Sequence, residues 1–186
     1  MKERIRFFKA FLRNPRQVGA LAQTSPSVAK EIAKYIDFQN AKCIVELGSG
    51  MGNITQKIVA KMPADCTLFC FEIDAHLCKQ LQKNIRDERV KIIQDSAENL
   101  GRYLEQFGFE KADHIISTIP LSPIPYGIIK KILGSAFQYL MPGGKFIQIQ
   151  YSLLGRKYIQ MLFPEMSISF VPLNFPPAFV YVCVKM

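Results

Sequence analysis

Residues 43–52 read Cys-Ile-Val-Glu-Leu-Gly-Ser-Gly-Met-Gly, an apolar run with an acid, Glu46, followed by glycines on alternate positions, Gly48, Gly50 and Gly52. Glycines at this spacing let a backbone turn sharply after a strand and come close to a ligand. Ser49 lies inside the turn, and Asn53 opens a helix-like stretch behind it. The pattern is E-x-G-x-G-x-G, not the G-x-G-x-x-G of dinucleotide folds. Two further acids end apolar runs. Thr67–Phe71 leads into Glu72-Ile73-Asp74, and Val90–Gln94 into Asp95-Ser96-Ala97. Glu72 falls 24 residues after Gly48, about where an α/β unit sets a carboxylate against a ribose. A carboxylate there accepts both ribose hydroxyls. Asp95 is placed to accept from an adenine amino group while nearby backbone N–H groups hold the ring. The plainer reading of Asp74 and Asp95 is a helix N-cap. The chemistry expected is therefore the binding of a nucleotide-like cofactor.

Strands and helices must alternate to bring these strand ends together. The apolar periodicity predicts strands at 43–47, 67–73, 90–94, 112–118 and 144–151, with helices at 53–62, 75–85, 97–105 and 126–140. Pro142-Gly143-Gly144 reads as the turn before the fifth strand. A short helix near 153–162 follows, then two β-rich runs, 167–171 and 178–185, joined by Pro172-Leu-Asn-Phe-Pro-Pro. This order implies a mostly parallel sheet covered on both faces, with an antiparallel last strand. With 49% hydrophobic residues among 186, the chain can bury one full core, so a single domain is expected over 1–186. Within it, 1–42 is a helical segment and 43–186 the core. No run of eighteen apolar residues predicts a membrane span, and no secretory signal is expected after Met1. The cysteines at 43, 66, 70, 78 and 183 form no C-x-x-C. They read as reduced core residues of a cytoplasmic protein, with no metal expected. His76 and His114 stand apart from every motif and read as structural.

The first residues differ from the rest. On a helix, Ile5, Phe7, Phe8, Phe11 and Leu12 share one side, and Lys2, Arg6, Lys9 and Arg13 lie opposite, with Arg4 off pattern. Residues 1–16 carry six cations and one anion, a net +5 of the chain's +9. Such a helix can lie in an anionic membrane surface, through Arg6, Phe7, Phe8, Lys9, Phe11, Leu12 and Arg13. A lid or packing helix and a phosphate-binding face are the alternatives. Ser25-Pro26 then starts a further helix, with serine as cap and proline at the first position.

The fourth strand runs His114-Ile-Ile-Ser-Thr-Ile-Pro-Leu-Ser-Pro. Enzymes that methylate nucleobase amines place an amide or carboxylate and then an aromatic ring at this strand end. The first accepts from the amine and the second stacks the flipped base. Aligned on Pro120, this chain has Thr118 and Leu121 there instead. The strand end therefore argues against a nucleobase acceptor.

The acid and alternate glycines resemble the first motif of class I S-adenosylmethionine methyltransferases. Over nearly the whole chain, four segments resemble the bacterial phospholipid N-methyltransferases of the soluble type. They are Phe11-Leu-Arg-Asn-Pro with Val18-Gly-Ala-Leu-Ala, the glycine motif from Val45, Ser117-Thr-Ile-Pro-Leu-Ser, and Asn174-Phe-Pro-Pro-Ala-Phe-Val-Tyr. A second resemblance, through Phe71-Glu-Ile-Asp and the strand order, is to ribosomal RNA adenine dimethyltransferases. Those carry an added C-terminal helical domain, which is not expected here. The resemblance implies a Rossmann-like α/β sheet, S-adenosylmethionine as cofactor and transfer to the amine of phosphatidylethanolamine. The candidate cofactor contacts are Glu46, Gly48, Ser49, Gly50, Gly52, Asn53, Glu72, Ile73, Asp95, Ser96, Ala97 and Ser117. Thr118, Pro120, Tyr151 and Arg156 are the candidate acceptor contacts, and Tyr151 is the catalytic candidate, facing the amine or phosphate. The expected partners are the phospholipid and an anionic membrane surface on the inner face of the cell membrane. No nucleic acid and no partner copy are expected. An RNA adenine methyltransferase, a non-catalytic cofactor-binding protein and a small-molecule methyltransferase remain open alternatives.

Overall fold

The computed structural model of the chain describes residues 25–186. The basic amphipathic stretch expected at 1–16, with Arg6, Phe7, Phe8, Lys9, Phe11, Leu12 and Arg13, lies outside the described residues, as do 17–24.

Seven strands form one sheet. They are β1 (Cys43–Leu47), β2 (Thr67–Phe71), β3 (Val90–Ile93), β4 (Ala112–Ser117), β5 (Leu140–Gln150), β6 (Met166–Val171) and β7 (Ala178–Val184). Their spatial order is β3-β2-β1-β4-β5-β7-β6. The first five run parallel, and β7 lies antiparallel between β5 and β6. This is the sheet that the resemblance implies. The helices are α1 (Pro26–Ala33), α2 (Asn53–Val59), α3 (Ala75–Asn84), α4 (Leu100–Gln106), α5 (Tyr126–Tyr139) and α6 (Arg156–Gln160). Short 3-10 turns at Ala97–Asn99 and Leu153–Gly155 precede α4 and α6.

The inner strands read as unbroken apolar runs because helices cover both of their faces. All five residues of β1 are buried. Val45, Leu47, Phe69, Phe71 and Ile115 pack with Leu100, Leu104, Ile129, Leu133 and Phe163 on one face. Ile44, Leu68, Ile116 and Ile147 pack with Val28, Ile32, Ile54, Ile58 and Leu81 on the other. The five cysteines are free and buried. Local signals set the helix starts. Ser25 Oγ accepts from Val28 N at 3.4 Å with Pro26 behind it, and Asp74 caps α3 through the N–H groups of His76 and Leu77. His114 is structural: buried, its Nε2 accepts from Asp37 N at 3.1 Å.

Several expected boundaries shift, the start of the fifth strand most of all. Pro142-Gly143-Gly144 is not a turn outside the sheet but an irregularity inside β5, where the pairing with β4 shifts register. The reason is that this stretch remains stitched to the last strand. Gly143 N donates to Lys185 O at 2.7 Å and Lys185 N to Gly144 O at 3.0 Å. Tyr151, expected as the last residue of the strand, falls one position beyond it.

Gly144 also allows a close backbone approach. A Cβ added there would lie 2.7 Å from Asp113 O and 2.8 Å from Met141 O. Gly→Ala at a compatible site stabilises a protein, but here fixed carbonyls leave no room. Gly144→Ala is expected to cost about 1–3 kcal/mol, read as a lowered midpoint in urea unfolding. An unchanged midpoint would remove the close approach.

Candidate active site

The strand order reverses between β1 and β4, since the chain leaves β1 toward β2 on one side and returns to β4 on the other. The carboxyl edge at such a switch point is where doubly wound sheets open a crevice. The glycine turn sits at this place. Gly48, Gly50 and Gly52 adopt φ of 80°, 55° and 93°, a region that side chains disfavour. Hydrogen bonds from two neighbouring strands fix the turn. Gly48 N and Ser49 N both donate to Phe71 O, at 2.8 and 3.1 Å. Gly50 N donates to Glu72 Oε2 at 3.0 Å. From β4, Thr118 N donates to Leu47 O at 3.0 Å and Thr118 Oγ1 to Gly48 O at 2.6 Å.

Glu72 thus stands against the turn, where one oxygen holds Gly50 N. Its other oxygen accepts from Asp74 N at 2.9 Å. Burial raises its pKa, opposed by the N–H groups of Asp74 and Gly50. Each oxygen keeps a lone pair for a further donor. Ile73 lies between Glu72 and the Asp74 cap, half-buried. Asp95 is half-buried at the end of β3. It accepts from Ser96 N at 2.7 Å, Asn99 Nδ2 at 2.9 Å and the Tyr103 hydroxyl at 3.0 Å. The cap of the following turn is Ser96, whose Oγ accepts from Glu98 N. Ala97 is buried beside it.

Space remains where a ligand would lie. A Cβ added to Gly50 would meet nothing within 4 Å, whereas one on Gly52 would strike Leu81 Cδ1 at 2.5 Å. Gly50 therefore faces an opening, and Gly52 packs inward at the start of α2 beside Asn53. The open backbone over Gly50 and the acids at the ends of β2 and β3 fit a nucleoside-bearing cofactor. Among the described residues, no group of three or more His, Cys, Asp or Glu side chains could hold a metal.

The strand-end loop after β4 is fastened from β5. Ser117 Oγ accepts from Ile119 N at 3.3 Å. Gln148 Nε2 donates to Ser117 O and Ile119 O, both at 3.0 Å. Gln150 Nε2 donates to Ile119 O at 2.9 Å, and its Oε1 accepts from Leu121 N at 3.0 Å. The sequence reading missed both glutamines. The signal was there: two amides two positions apart, on one face of an otherwise apolar strand. Pro120 is half-buried in this loop and Leu121 fully buried. Tyr151 is half-buried and packs toward the α1 face of the sheet. Arg156 is exposed at the start of α6.

Glu46 turns away from the opening. It is buried among α2 and β2, accepting from Thr55 Oγ1 at 2.6 Å and from Cys70 Sγ at 3.6 Å. Burial pushes its pKa up from 4.5 to about 7, against the hydrogen bond from Thr55. The folded chain then holds a proton that the unfolded chain has lost between these values. This contribution is present below pH 4.5 and is lost as the pH rises to about 7, a difference of about 3 kcal/mol. Glu46→Gln is expected to lack this loss. Urea unfolding of both proteins from pH 4.5 to 7.5 reads it as diverging curves, and the raised Glu72 cancels between them. Parallel curves would refute the buried neutral Glu46.

Comparisons with known proteins place the chain in a family. The ribosomal RNA adenine dimethylase model matches residues 13–166. The chain is 28% identical over 150 residues to ornithine lipid N-methyltransferase of Singulisphaera acidiphila, covering 80% of this chain and 78% of that one. It is 30% identical over 110 residues to ribosomal RNA small subunit methyltransferase A of Mesomycoplasma hyopneumoniae, covering 59% of this chain and 37% of that one. Precorrin-6y C5,15-methyltransferase of Geobacter metallireducens superposes with a TM-score of 0.71 at 12% identity, over 89% of this chain and 90% of that one; at that identity the likeness shows the fold alone. The family match takes in the glycine turn, the strand ends that meet there and the loop after β4, and this chain belongs to the ribosomal RNA adenine dimethylase family of S-adenosylmethionine-dependent methyltransferases.

Proposed function

We propose that the chain transfers a methyl group to the primary amine of a lipid headgroup, of the phosphatidylethanolamine type, at a membrane surface. The observation that carries this reading is the loop after β4. Thr118, where an amide would receive a nucleobase amine, gives its hydroxyl to Gly48 O. Leu121, where an aromatic ring would stack the base, is 0% exposed. The loop has no plane on which to hold a flipped base. The name of the Singulisphaera relative supports a lipid amine as acceptor. The family membership and the Mesomycoplasma relative favour a second reading, RNA adenine methylation.

Bound S-adenosylmethionine supplies a methyl group already activated by its sulfonium. The protein's work is to hold that group, align the amine's lone pair with it and keep water out. In this proposal Glu72 accepts from the ribose hydroxyls and Asp95 from the adenine amine. The turn Gly48–Gly52, with Ser49, Asn53, Ile73, Ser96, Ala97 and Ser117 around it, completes the cradle. Thr118 and Pro120 border the acceptor, Tyr151 meets the amine or phosphate, and Arg156 meets the phosphate. A tyrosine ring also suits a methylated ammonium as a cation–π partner.

Incubation with methyl-labelled cofactor and, in parallel, ethanolamine-lipid vesicles and RNA tests the reading. Label is expected in the lipid; label in RNA, or in neither, would overturn it. For the cofactor, Glu72→Ala removes a charge-assisted hydrogen bond worth about 1.5–3 kcal/mol. Calorimetry is expected to show at least about tenfold weaker binding of S-adenosylhomocysteine. Unchanged affinity in a folded variant would take Glu72 out of the ribose site.

A further inference from the structure

The carboxyl edge of the sheet exposes apolar side chains on one side of the acceptor loop. Gln150 at the end of β5 pairs with Phe179, and Val171 with Ala178. The 172–177 loop and the turn after β5 therefore leave the same edge side by side. Phe175 is 92% exposed, Leu173 82% and Leu154 74%. Apart from Met186 at the chain's end, these exceed every other large hydrophobic among the described residues. A folded domain leaves such side chains in water at a cost unless something covers them.

This exposure is built. Asn174, between Leu173 and Phe175, is buried, accepts from Ser25 N at 3.1 Å and donates to Pro176 O at 2.6 Å. The loop is pinned by its middle residue, which turns the neighbours on both sides outward. The other turn is pinned too. Gly155 packs so closely on the acceptor loop that a Cβ there would lie 3.0 Å from Leu121 Cβ. Arg156 and Lys157 follow directly and are exposed. No Asp or Glu occurs between Asp113 and Glu165.

We infer that this edge is a bilayer-docking surface, in which Leu154, Leu173 and Phe175 enter the interface of an anionic membrane while Arg156 and Lys157 meet its phosphates. The inference rests on the lipid reading above and adds where the enzyme sits. Apolar tips with cations beside them and no carboxylate among them match a surface that is apolar below and anionic above. A second copy of the chain matches less well, since a two-fold contact over this edge would bring like charges together. Docking here sets the acceptor loop at headgroup level. Ser25, whose N–H donates to Asn174 Oδ1, lies at the same edge.

The test is flotation of the full chain with vesicles of ethanolamine lipid and rising phosphatidylglycerol, beside Leu173→Asp/Phe175→Asp and, separately, Leu154→Asp. Unchanged S-adenosylhomocysteine affinity establishes that each variant is folded. Flotation is expected to rise with anionic lipid, and to be weaker by about tenfold or more in the double variant. Methyl transfer to vesicles is expected to fall with it, while transfer to a monomeric short-chain ethanolamine lipid stays. A folded double variant that floats like the parent overturns the inference, as does a parent that does not float. A parent that sediments as a dimer and a variant that sediments as a monomer overturns it in favour of self-association. If flotation depends on these residues but no lipid is ever labelled, docking stands and the lipid-acceptor reading fails.

Discussion

The turn at the end of β1 holds the site together because it is fastened from both neighbours at once. Phe71 O and the Glu72 carboxylate reach it from β2, and Thr118 reaches it from β4. A backbone held with φ of 55–93° at three alternate glycines has few contacts of its own, so its shape depends on those bonds. Glu72 is central, since one carboxylate secures Gly50 N on one oxygen and Asp74 N on the other. The start of α3 and the glycine turn therefore share a single anchor.

The burial of the sheet on both faces makes this possible. With α1, α2 and α3 on one face and α4, α5 and α6 on the other, the inner strands have no solvent face. Polar groups inside must then find partners in the protein. Glu46 does so with Thr55 and Cys70, and stays neutral to about pH 7. The Gln148 amide nitrogen and both polar atoms of Gln150 do so with the backbone of the loop after β4. These amides are supports for a loop that would otherwise expose unpaired carbonyls in the core.

The chain is similar both to a lipid N-methyltransferase and to ribosomal RNA methyltransferases. The strands β1 to β3 carry Glu46, Glu72, Asp95 and the glycine turn. From β4 onward come Thr118, Leu121 and the glutamine fastening, and beyond them the exposed Leu154, Leu173 and Phe175. Family membership follows from the match over residues 13–166, whereas a fold by itself does not choose an acceptor.

Much of this was legible in the residues. Strand and helix positions followed from unbroken apolar runs and caps such as Ser25 and Asp74, because those signals are local. The glycine turn was legible for the same reason, since strand and glycines are contiguous, and Glu72 and Asp95 each follow an apolar run. Three things were decided by the tertiary structure. Pro142-Gly143-Gly144 reads locally as a turn, but pairing with Lys185, distant in sequence, keeps it in the sheet. Glu46 reads as a site acid, but its carboxylate is drawn to Thr55 and Cys70, which only folding places beside it. Leu173 and Phe175 read only as part of the connection between two β-rich runs, yet Asn174 bonded to Ser25 turns them outward. Sequence alone determines what one segment prefers; bonds between distant segments settle which way a side chain faces, and so which of them reach a ligand or a membrane.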